Sequence, residues 1–357
     1  MKRTFLLFTM LTTPSVSLAD NAVNVVSWGG AYSQAQDDAF NTAFEAQTGI
    51  SVNMVDADDP AVPLQAQILA GNVTTDVASL GYSDATRLCD ENMLMLIDPA
   101  TLRPAPDGTA AVDDFLPGGL SDCFVATDVY STIIAYDESK FPENPPDSLA
   151  DFFDTEGYPG RRGVLKEPRF TLEMALMADG VPAAQVYEIL STPEGLDRAF
   201  AKLDTIKDDA IFWEAGAQPP QLLVDGEVVM TQAYNGRIFN AAVDDGKPLK
   251  VIWDGQIYEM DGWVIPKDAP NPDDALAYVT FSTDAQALAD FAMQISYGPP
   301  RKSAASLVGN YKDTDIPMTP NLPTTAQNMA NALAFDNDFW VDNLAQLNER
   351  FAAWLAS

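Results

Sequence analysis

The feature that most constrains the fold is an alternation of strand-like and helix-like segments near the N-terminus. Residues 22–27 form a short β-prone run, and residues 33–47 then carry apolar side chains at helical spacing. A strand-like run at 50–55, a helical segment at 64–69 and a third strand at 76–80 follow. This β-α-β-α-β order predicts a parallel sheet whose strand carboxyl ends form the ligand edge.

The rest of the chain continues the α/β pattern and predicts a second lobe. The β-rich run 125–136 should cross between the lobes, and residues 102–118, rich in Pro, Gly and Asp, should form a surface loop. Further strands are predicted at 228–230, 249–253 and 262–265, and further helices at 171–179, 183–191, 193–206, 273–291 and 337–355. We therefore expect crossing strands, and not a flexible tether, to join the lobes.

The N-terminus predicts export. Lys2 and Arg3 precede an apolar run at 5–11, and residues 17–19 suit a cleavage site, so residues 1–19 are interpreted as a Sec signal peptide. The remaining chain of about 338 residues suits two lobes. Because no later apolar stretch reaches the roughly 18 residues that span a bilayer, we expect a free periplasmic protein.

Charge and histidine content exclude several classes of function. The chain has 52 acidic and 20 basic residues, a net charge of −32 that repels nucleic acid and anionic lipid, so neither is expected as a partner. It has no histidine, which removes Ser-His-Asp and Cys-His catalysis and the commonest transition-metal ligand. Residues 336–338, Asp-Asn-Asp, lack the spacing of an EF-hand and predict a solvated turn. We expect no catalysis, no cofactor and no metal.

The two cysteines predict a structural disulfide. Cys89 and Cys123 form an even pair in a chain bound for an oxidising compartment. A bridge between them would stabilise the fold by roughly 3–4 kcal/mol on the chain-entropy model. A redox or metal-binding pair is the alternative.

Aromatic and carboxylate side chains gather at the predicted strand ends. Trp28 ends the first strand, Tyr32 follows two glycines, and Asp84 follows the third strand. Rings cover methylenes and attract cations, while carboxylates accept charge-assisted N–H bonds. The combination predicts a site for an alkylammonium ion, although Trp28 could instead belong to the core and Asp84 could cap a helix.

The second half repeats this mixture in three predicted turns. Glu214 follows two aromatic residues, Tyr234 and Arg237 follow a strand, and Glu259 and Asp261 precede another strand. One such turn alone predicts no site. Three together favour a cleft, because unrelated turns seldom all place rings beside charged groups.

Five motifs keep a recognisable order along the chain. They are Trp28-Gly-Gly-Ala-Tyr, Phe44-Glu-Ala-Gln-Thr-Gly-Ile, Tyr234-Asn-Gly-Arg, Met260-Asp-Gly-Trp-Val-Ile-Pro-Lys and Tyr297-Gly-Pro-Pro. Together they resemble the spermidine/putrescine-type branch of bacterial extracellular solute-binding proteins. The resemblance implies a two-lobed, type II-like periplasmic binding protein fold, each lobe a mixed sheet flanked by helices. It also implies a monomer that closes on its ligand by hinge motion and is recognised by the permease of an ABC importer.

The resemblance also places the lobes and the cleft. Lobe 1 is predicted over 20–130 and 263–298, and lobe 2 over 131–262 and 299–357. The family's cleft positions fall on Trp28, Asp84, Glu167, Tyr234 and Asp261, with Glu259 at a position that is often aromatic. The full predicted ligand set adds Tyr32, Glu214 and Arg237.

The main ligand prediction is a polyamine of the putrescine or spermidine type. Asp261, Asp84 and Glu167 would take its ammonium groups, and Trp28 and Tyr234 would sandwich its chain. Two departures weigh against this prediction. A phenylalanine at position 170 stands where polyamine binders tend to place a second carboxylate, and the guanidinium at position 237 would face a dication.

The alternative ligand is a zwitterionic amine such as γ-aminobutyrate or an opine. Arg237 would bind its carboxylate in a bidentate contact and Asp261 would bind its nitrogen. Under the polyamine prediction, Arg237 would instead be neutralised by Glu214 or Glu259. Both readings of Arg237 are open from the sequence.

Two other functions remain in different classes. Glu214 and Glu259 could serve a periplasmic hydrolase as general acid and base, although no motif resembles a hydrolase family. A binding protein could also present its closed form to a chemoreceptor, which the sequence does not distinguish from import.

Overall fold

The computed structural model describes residues 22–357. They form a mixed sheet flanked by helices, which confirms the predicted α/β class. The predicted signal peptide, residues 1–19, lies outside the described range. Within that range no helix has the length and apolarity that a membrane crossing requires.

The described residues contribute nine strands to one sheet. The strands are β1 (Ala22–Ser27), β2 (Ser51–Asp56), β3 (Val77–Gly81), β4 (Val125–Asp137), β5 (Arg162–Leu165), β6 (Ala210–Trp213), β7 (Met230–Tyr234), β8 (Leu249–Val264) and β9 (Leu333–Ala334). Their order is β2-β1-β3-β8-β4-β7-β5-β6, with β9 beside β8. β1 lies parallel to β2 and β3, and β5 lies parallel to β6 and β7. Each parallel group therefore presents its carboxyl ends at one edge.

Two long strands join the two parallel groups. β4 and β8 pair antiparallel at the centre, where β8 also pairs with β3 and β4 also pairs with β7. All thirteen residues of β4 are buried. β4 is the crossing strand that the sequence predicted at 125–136, and β8 is a second one, which the sequence predicted as two separate strands. The lobe boundaries at 130, 262 and 298 stay a prediction.

Helices cover the sheet and mostly follow the predicted pattern. They are α1 (Gly30–Gln36), α2 (Thr42–Thr48), α3 (Ala61–Leu69), α4 (Tyr82–Asp90), α5 (Ala111–Asp114), α6 (Leu149–Phe153), α7 (Thr171–Ala178), α8 (Val186–Leu190), α9 (Pro193–Asp204), α10 (Gln218–Val224), α11 (Asn235–Asp244), α12 (Pro272–Ser282), α13 (Ala285–Ala292), α14 (Lys302–Ala305) and α15 (Asn337–Ala356). The prediction of a single helix at 273–291 is wrong, because α12 ends before Thr283 and Asp284 caps a second helix, α13. The acidic turn before α15 also caps a helix, through Asp336.

The two strands predicted at 249–253 and 262–265 are one strand, β8. A register shift against β4 and a φ of 69° at Gly255 mark a bulge in its first half. A bulge breaks the two-residue alternation, so one strand has the sequence pattern of two. Glu259 and Asp261 consequently lie inside a strand, and the prediction of a turn there is wrong.

The segment 102–118 is more than the predicted surface loop. It contains α5, and Asp114 at its end accepts a hydrogen bond from Arg301 Nε at 2.6 Å, with both side chains buried. Phe115 is also buried. The glycines and prolines of this segment predict its turns, but nothing in the local sequence predicts the buried ion pair between Asp114 and Arg301.

Cys89 and Cys123 form the predicted disulfide, with an S–S distance of 2.06 Å. The bridge links the last turn of α4 to the segment just before β4. It therefore ties a helix beside the sheet edge to one of the crossing strands.

Candidate functional site

A cavity lies where the carboxyl ends of β1, β2, β6 and β7 meet the middle of β4 and β8. Its free volume is about 50 Å³. The lining residues are Trp28, Tyr32, Asp58, Tyr130, Glu214, Gly216, Tyr234, Arg237, Asp261 and Tyr297. From the predicted ligand set, Asp84, Glu167 and Glu259 do not line it.

Five of the ten residues that line the cavity are aromatic. The Tyr130 ring centroid lies 5.5 Å from that of Tyr234 and 6.1 Å from that of Tyr297. Tyr32 lies 5.9 Å from Tyr297, and Trp28 completes the set. Such walls cover methylene groups and offer ring faces to a cation. Sequence reasoning missed Tyr130, which sits within a β-rich run, and Tyr297, which sits in one of the family motifs.

Arg237 projects from the first turn of α11 and is 7% exposed. Its Nη1 donates to the carbonyl of Gly29 at 3.0 Å, and its Nη2 donates to the carbonyl of Trp28 at 3.1 Å. The predicted neutralisation by Glu214 or Glu259 is wrong, because among the described residues only these backbone oxygens accept hydrogen bonds from Arg237. Arg237 thus joins α11 to the end of β1.

Two buried N–H donors of the cavity wall have no acceptor among the described residues. They are Nε of Arg237 and Nε1 of Trp28. Gly216 packs against the same guanidinium, since a Cβ there would lie 2.9 Å from Nε of Arg237 and 2.8 Å from the Tyr234 ring. A buried donor without a partner is costly, so these groups are suited to an acceptor supplied by a ligand.

Asp261 supplies a negative charge to the same cavity. It is 7% exposed, and its carboxylate oxygens accept no hydrogen bond from the described residues. It also lies more than 4.0 Å from the guanidinium of Arg237, so the two form no ion pair. Burial raises the pKa of Asp261 well above its usual range, Asp128 and Glu259 raise it further, and Arg237 opposes the shift. The cavity therefore contains opposite charges that do not neutralise each other by contact.

Asp128 is a buried carboxylate beside the cavity that sequence reasoning missed. Its Oδ2 accepts hydrogen bonds from the Tyr32 hydroxyl at 2.8 Å and from Thr127 Oγ1 at 3.0 Å. Burial raises the pKa of Asp128 to about 7. Asp128 is the one charged residue in the β-rich run 125–136, and this isolated carboxylate could have indicated a buried functional group.

The remaining predicted carboxylates meet around Arg169, in a group here called the Arg169 cluster: Asp84, Glu167, Arg169 and Glu259. Arg169 Nη2 lies 3.0 Å from Glu167 Oε2, and its Nη1 lies 3.5 Å from Asp84 Oδ2. Glu259 Oε2 accepts from the Tyr130 hydroxyl at 2.6 Å, and burial raises the pKa of Glu259 to about 7. Sequence reasoning missed Arg169, the cation that pairs with Glu167 and Asp84.

Glu214 lines the cavity but its side chain is 69% exposed. Its carboxylate pairs with Lys166, which follows β5. Glu214 is therefore compensated by a surface lysine and is not aimed at Arg237.

Residues 39–324 match the family of bacterial extracellular solute-binding proteins. The chain belongs to this family. At the level of class, this solute-binding protein is the substrate-capturing component of an ABC transporter.

Relatives from two branches of the family differ in how closely they match this chain. The chain is 39% identical to the gamma-aminobutyric acid-binding protein of Pseudomonas aeruginosa over 98% of its own length and 95% of the relative. It is 26% identical to the spermidine/putrescine-binding periplasmic protein of Escherichia coli, over only 50% of its length and 49% of the relative. The family prediction is confirmed, whereas similarity to the polyamine branch is distant.

Solved structures confirm the two-lobed binding-protein fold. The periplasmic binding protein MotA of A. tumefaciens B6, in complex with glucopine, has a TM-score of 0.83 and 30% identity, covering 94% of this chain and 99% of that one. A solved GABA receptor has a TM-score of 0.78 and 31% identity, covering 94% and 98%.

Proposed function

We propose that this protein captures a small zwitterionic amine, of the γ-aminobutyrate type, for an ABC importer. One observation carries the proposal. A single aromatic cavity contains Arg237 and Asp261 as uncompensated opposite charges, more than 4.0 Å apart. A ligand with a carboxylate at one end and an ammonium group at the other would satisfy both.

The carboxylate end would bind at Arg237. Two of its nitrogens already hold backbone carbonyls, which fixes the orientation of the guanidinium plane. Nε of Arg237 and Nε1 of Trp28 are buried donors without acceptors, and a ligand carboxylate would accept charge-assisted hydrogen bonds from them.

The ammonium end would bind at Asp261. Its carboxylate is buried and accepts no hydrogen bond from the described residues. The rings of Tyr130, Tyr234 and Tyr297 surround it with surfaces that tolerate both methylenes and a cation. An ammonium group would also offset the repulsion between Asp261 and its buried acidic neighbours.

The size of the cavity supports a short ligand. Its volume of about 50 Å³ holds about three to five water molecules. A short, unbranched amino acid suits this space better than spermidine or a sugar-derived opine. The extended similarity to a gamma-aminobutyric acid-binding protein supports the same choice.

The polyamine prediction receives less support. Asp84 and Glu167, two of its three ammonium partners, are paired with Arg169 and do not line the cavity. The third, Asp261, shares the cavity with Arg237, and an uncompensated guanidinium would repel a dication. Delivery to a permease and export to the periplasm are part of the proposal for this chain.

Calorimetry on the mature protein, refolded to strip bound solute, tests the proposal. We expect micromolar binding of γ-aminobutyrate and 5-aminovalerate and much weaker binding of putrescine, spermidine and glucopine. Asp261→Asn should weaken γ-aminobutyrate binding at least about 30-fold, since truncating one partner of a buried charge pair costs about 2–5 kcal/mol. Asp197→Asn, at an exposed carboxylate that does not line the cavity, is the matched control and should bind normally. Tight binding of a polyamine or glucopine without any ω-amino acid would overturn the proposal.

A further inference from the structure

We infer that Arg169 is a specificity residue that excludes diamines by occupying the second ammonium position with its own guanidinium. The inference rests on the proposed function, because it explains why a cleft rich in carboxylates would accept only one ammonium group. It assigns a role to the Arg169 cluster, which the proposed ligand does not contact.

The Arg169 cluster continues the row of carboxylates beyond the cavity. Glu259 and Asp261 are two residues apart on β8, so their side chains share a face and lie about 7 Å apart along the strand. Tyr130 links the two regions, since its ring lines the cavity while its hydroxyl donates to Glu259. Tyr234 lines the cavity too, and burial raises its pKa, with Glu167 adding to the shift and Arg169 opposing it. The cluster therefore lies directly behind the tyrosine wall.

A linear diamine that extended along β8 would reach this cluster. With one ammonium group on Asp261, the other would then lie near Glu259, the next acidic side chain on the same face of the strand, and near Glu167. That position already has a cation, because Arg169 contacts Glu167 at 3.0 Å and Asp84 at 3.5 Å. A second ammonium group would therefore meet like charge in a region with little water to screen it.

Arg169 is also held firmly in this position. Its side chain is 20% exposed, and the carboxylates of Glu167, Asp84 and Glu259 together outweigh the effect of burial and raise its pKa well above the usual range. The next residue, Phe170, has a φ of 63° and packs its buried ring 4.9 Å from that of Phe335. A left-handed non-glycine residue persists only where surrounding packing enforces it, so the backbone after Arg169 has a defined course.

Arg169→Met tests the inference, because it removes the charge and keeps an unbranched side chain. We expect the variant to gain putrescine binding, with an affinity at least 10-fold above that of the wild type. Its γ-aminobutyrate affinity should change less than 5-fold, since that ligand does not contact the cluster. Arg169→Lys keeps a cation there and should exclude putrescine as the wild type does.

Arg87→Met provides a matched control. Arg87 also pairs with Asp84, at 3.0 Å, but it lies further along α4 and is 32% exposed. Loss of this cation should not produce putrescine binding. Equal gains in Arg87→Met and Arg169→Met would overturn the inference, because general charge reduction would then explain both.

A folded Arg169→Met protein, judged by circular dichroism and thermal melting, that gains no putrescine affinity would also overturn the inference. If this variant does not fold, Arg169→Met with Asp84→Asn removes one charge of each sign, keeps Glu167 and Glu259 for the ammonium group, and must show the same gain. Binding of γ-aminobutyrate to the wild type tests the proposed function independently. If the wild type does not bind γ-aminobutyrate but the Arg169→Met variant gains putrescine binding, the proposed ligand class is wrong and the role of Arg169 stands.

Discussion

At the residue scale, Asp261 predicts a pH dependence of ligand affinity. Burial, Asp128 and Glu259 raise its pKa, and an ammonium ligand requires the ionised carboxylate. Affinity should therefore be constant at alkaline pH and fall up to about tenfold per pH unit once the pH drops below the pKa of Asp261. This fall should begin above the ordinary aspartate range of about 3.9. Calorimetry from pH 5 to 9 checks it, and a flat profile with Asp261 intact would contradict it.

Glu173 predicts an opposite pH dependence, of stability. It is buried in α7, accepts hydrogen bonds from Trp340 Nε1 at 2.6 Å and the Tyr187 hydroxyl at 3.2 Å, and burial raises its pKa to about 8. Because the folded pKa is raised, the folded state binds the proton more tightly, and this stabilisation is lost as pH rises through about 8.

Glu173→Gln should remove that loss, because the amide keeps the accepting oxygen without the charge. We expect equal stability near pH 4, a gain that grows by up to about 1.4 kcal/mol per pH unit above that, and a plateau above about pH 8, measured by urea unfolding. Glu173→Ala is the contrasting variant, and it should destabilise at every pH because Trp340 and Tyr187 lose their acceptor, at about 1–3 kcal/mol each. A glutamine variant less stable at pH 9 would disprove the assignment.

The sequence predicted several residues of the site, but it did not predict which side chains form ion pairs with each other. Trp28, Tyr234 and Asp261 were predicted from rings and carboxylates near strand ends, and the structure brings them to one cavity. Asp84 was predicted as a ligand contact, but its carboxylate pairs with Arg87 at 3.0 Å and with Arg169 at 3.5 Å. The pairing with Arg169 joins α4 to the segment after β5, and a contact over such a separation leaves no local pattern in the sequence.

At the element scale, the disulfide predicts a measurable loss of stability when removed. Cys89 and Cys123 are 34 residues apart and link α4 to the start of β4. Cys89→Ser with Cys123→Ser should lower the free energy of unfolding by roughly 3–4 kcal/mol, because the unfolded chain regains the entropy of that loop. Neither cysteine lines the cavity, so the ligand dissociation constant should not change. An unchanged urea midpoint would contradict this prediction.

The elements that the sequence predicted well are those with an uninterrupted period. β1 matches its predicted bounds, and α15 ends within one residue of its prediction, because their alternation and helical spacing are clear. β8 was divided into two strands because the bulge at Gly255 interrupts its alternation. The two helices α12 and α13 were joined because Asp284, which caps the second, leaves the apolar spacing nearly intact. Tertiary packing decides such breaks, and local pattern does not record it.

At the scale of the whole molecule, two arginines connect opposite sides of the sheet. Arg237 on α11 holds the carbonyls of Trp28 and Gly29 after β1, and Arg169 after β5 holds Asp84 on α4. Both contacts run between the two parallel strand groups, next to the proposed ligand. Closure on the proposed zwitterion would therefore depend on these fixed protein cations as well as on the ligand's own charges.

The net charge of −32 predicts that salt stabilises the ligand-free protein. Mutual repulsion among surface carboxylates favours the expanded unfolded chain, and the Debye length falls from about 30 Å at 0.01 M salt to about 8 Å at 0.15 M. Over this range at pH 7.5 we expect the Tm to rise by a few degrees, at about 1.5 °C per kcal/mol of relieved repulsion for a chain of this length. Differential scanning calorimetry in sodium chloride measures the change of Tm with salt concentration.

The same salt titration at pH 5, nearer the isoelectric point of about 4.1, should give a smaller change of Tm because fewer carboxylates are ionised. A Tm that falls with salt at pH 7.5 would instead mean that ion pairs such as Arg169 with Glu167 outweigh the repulsion.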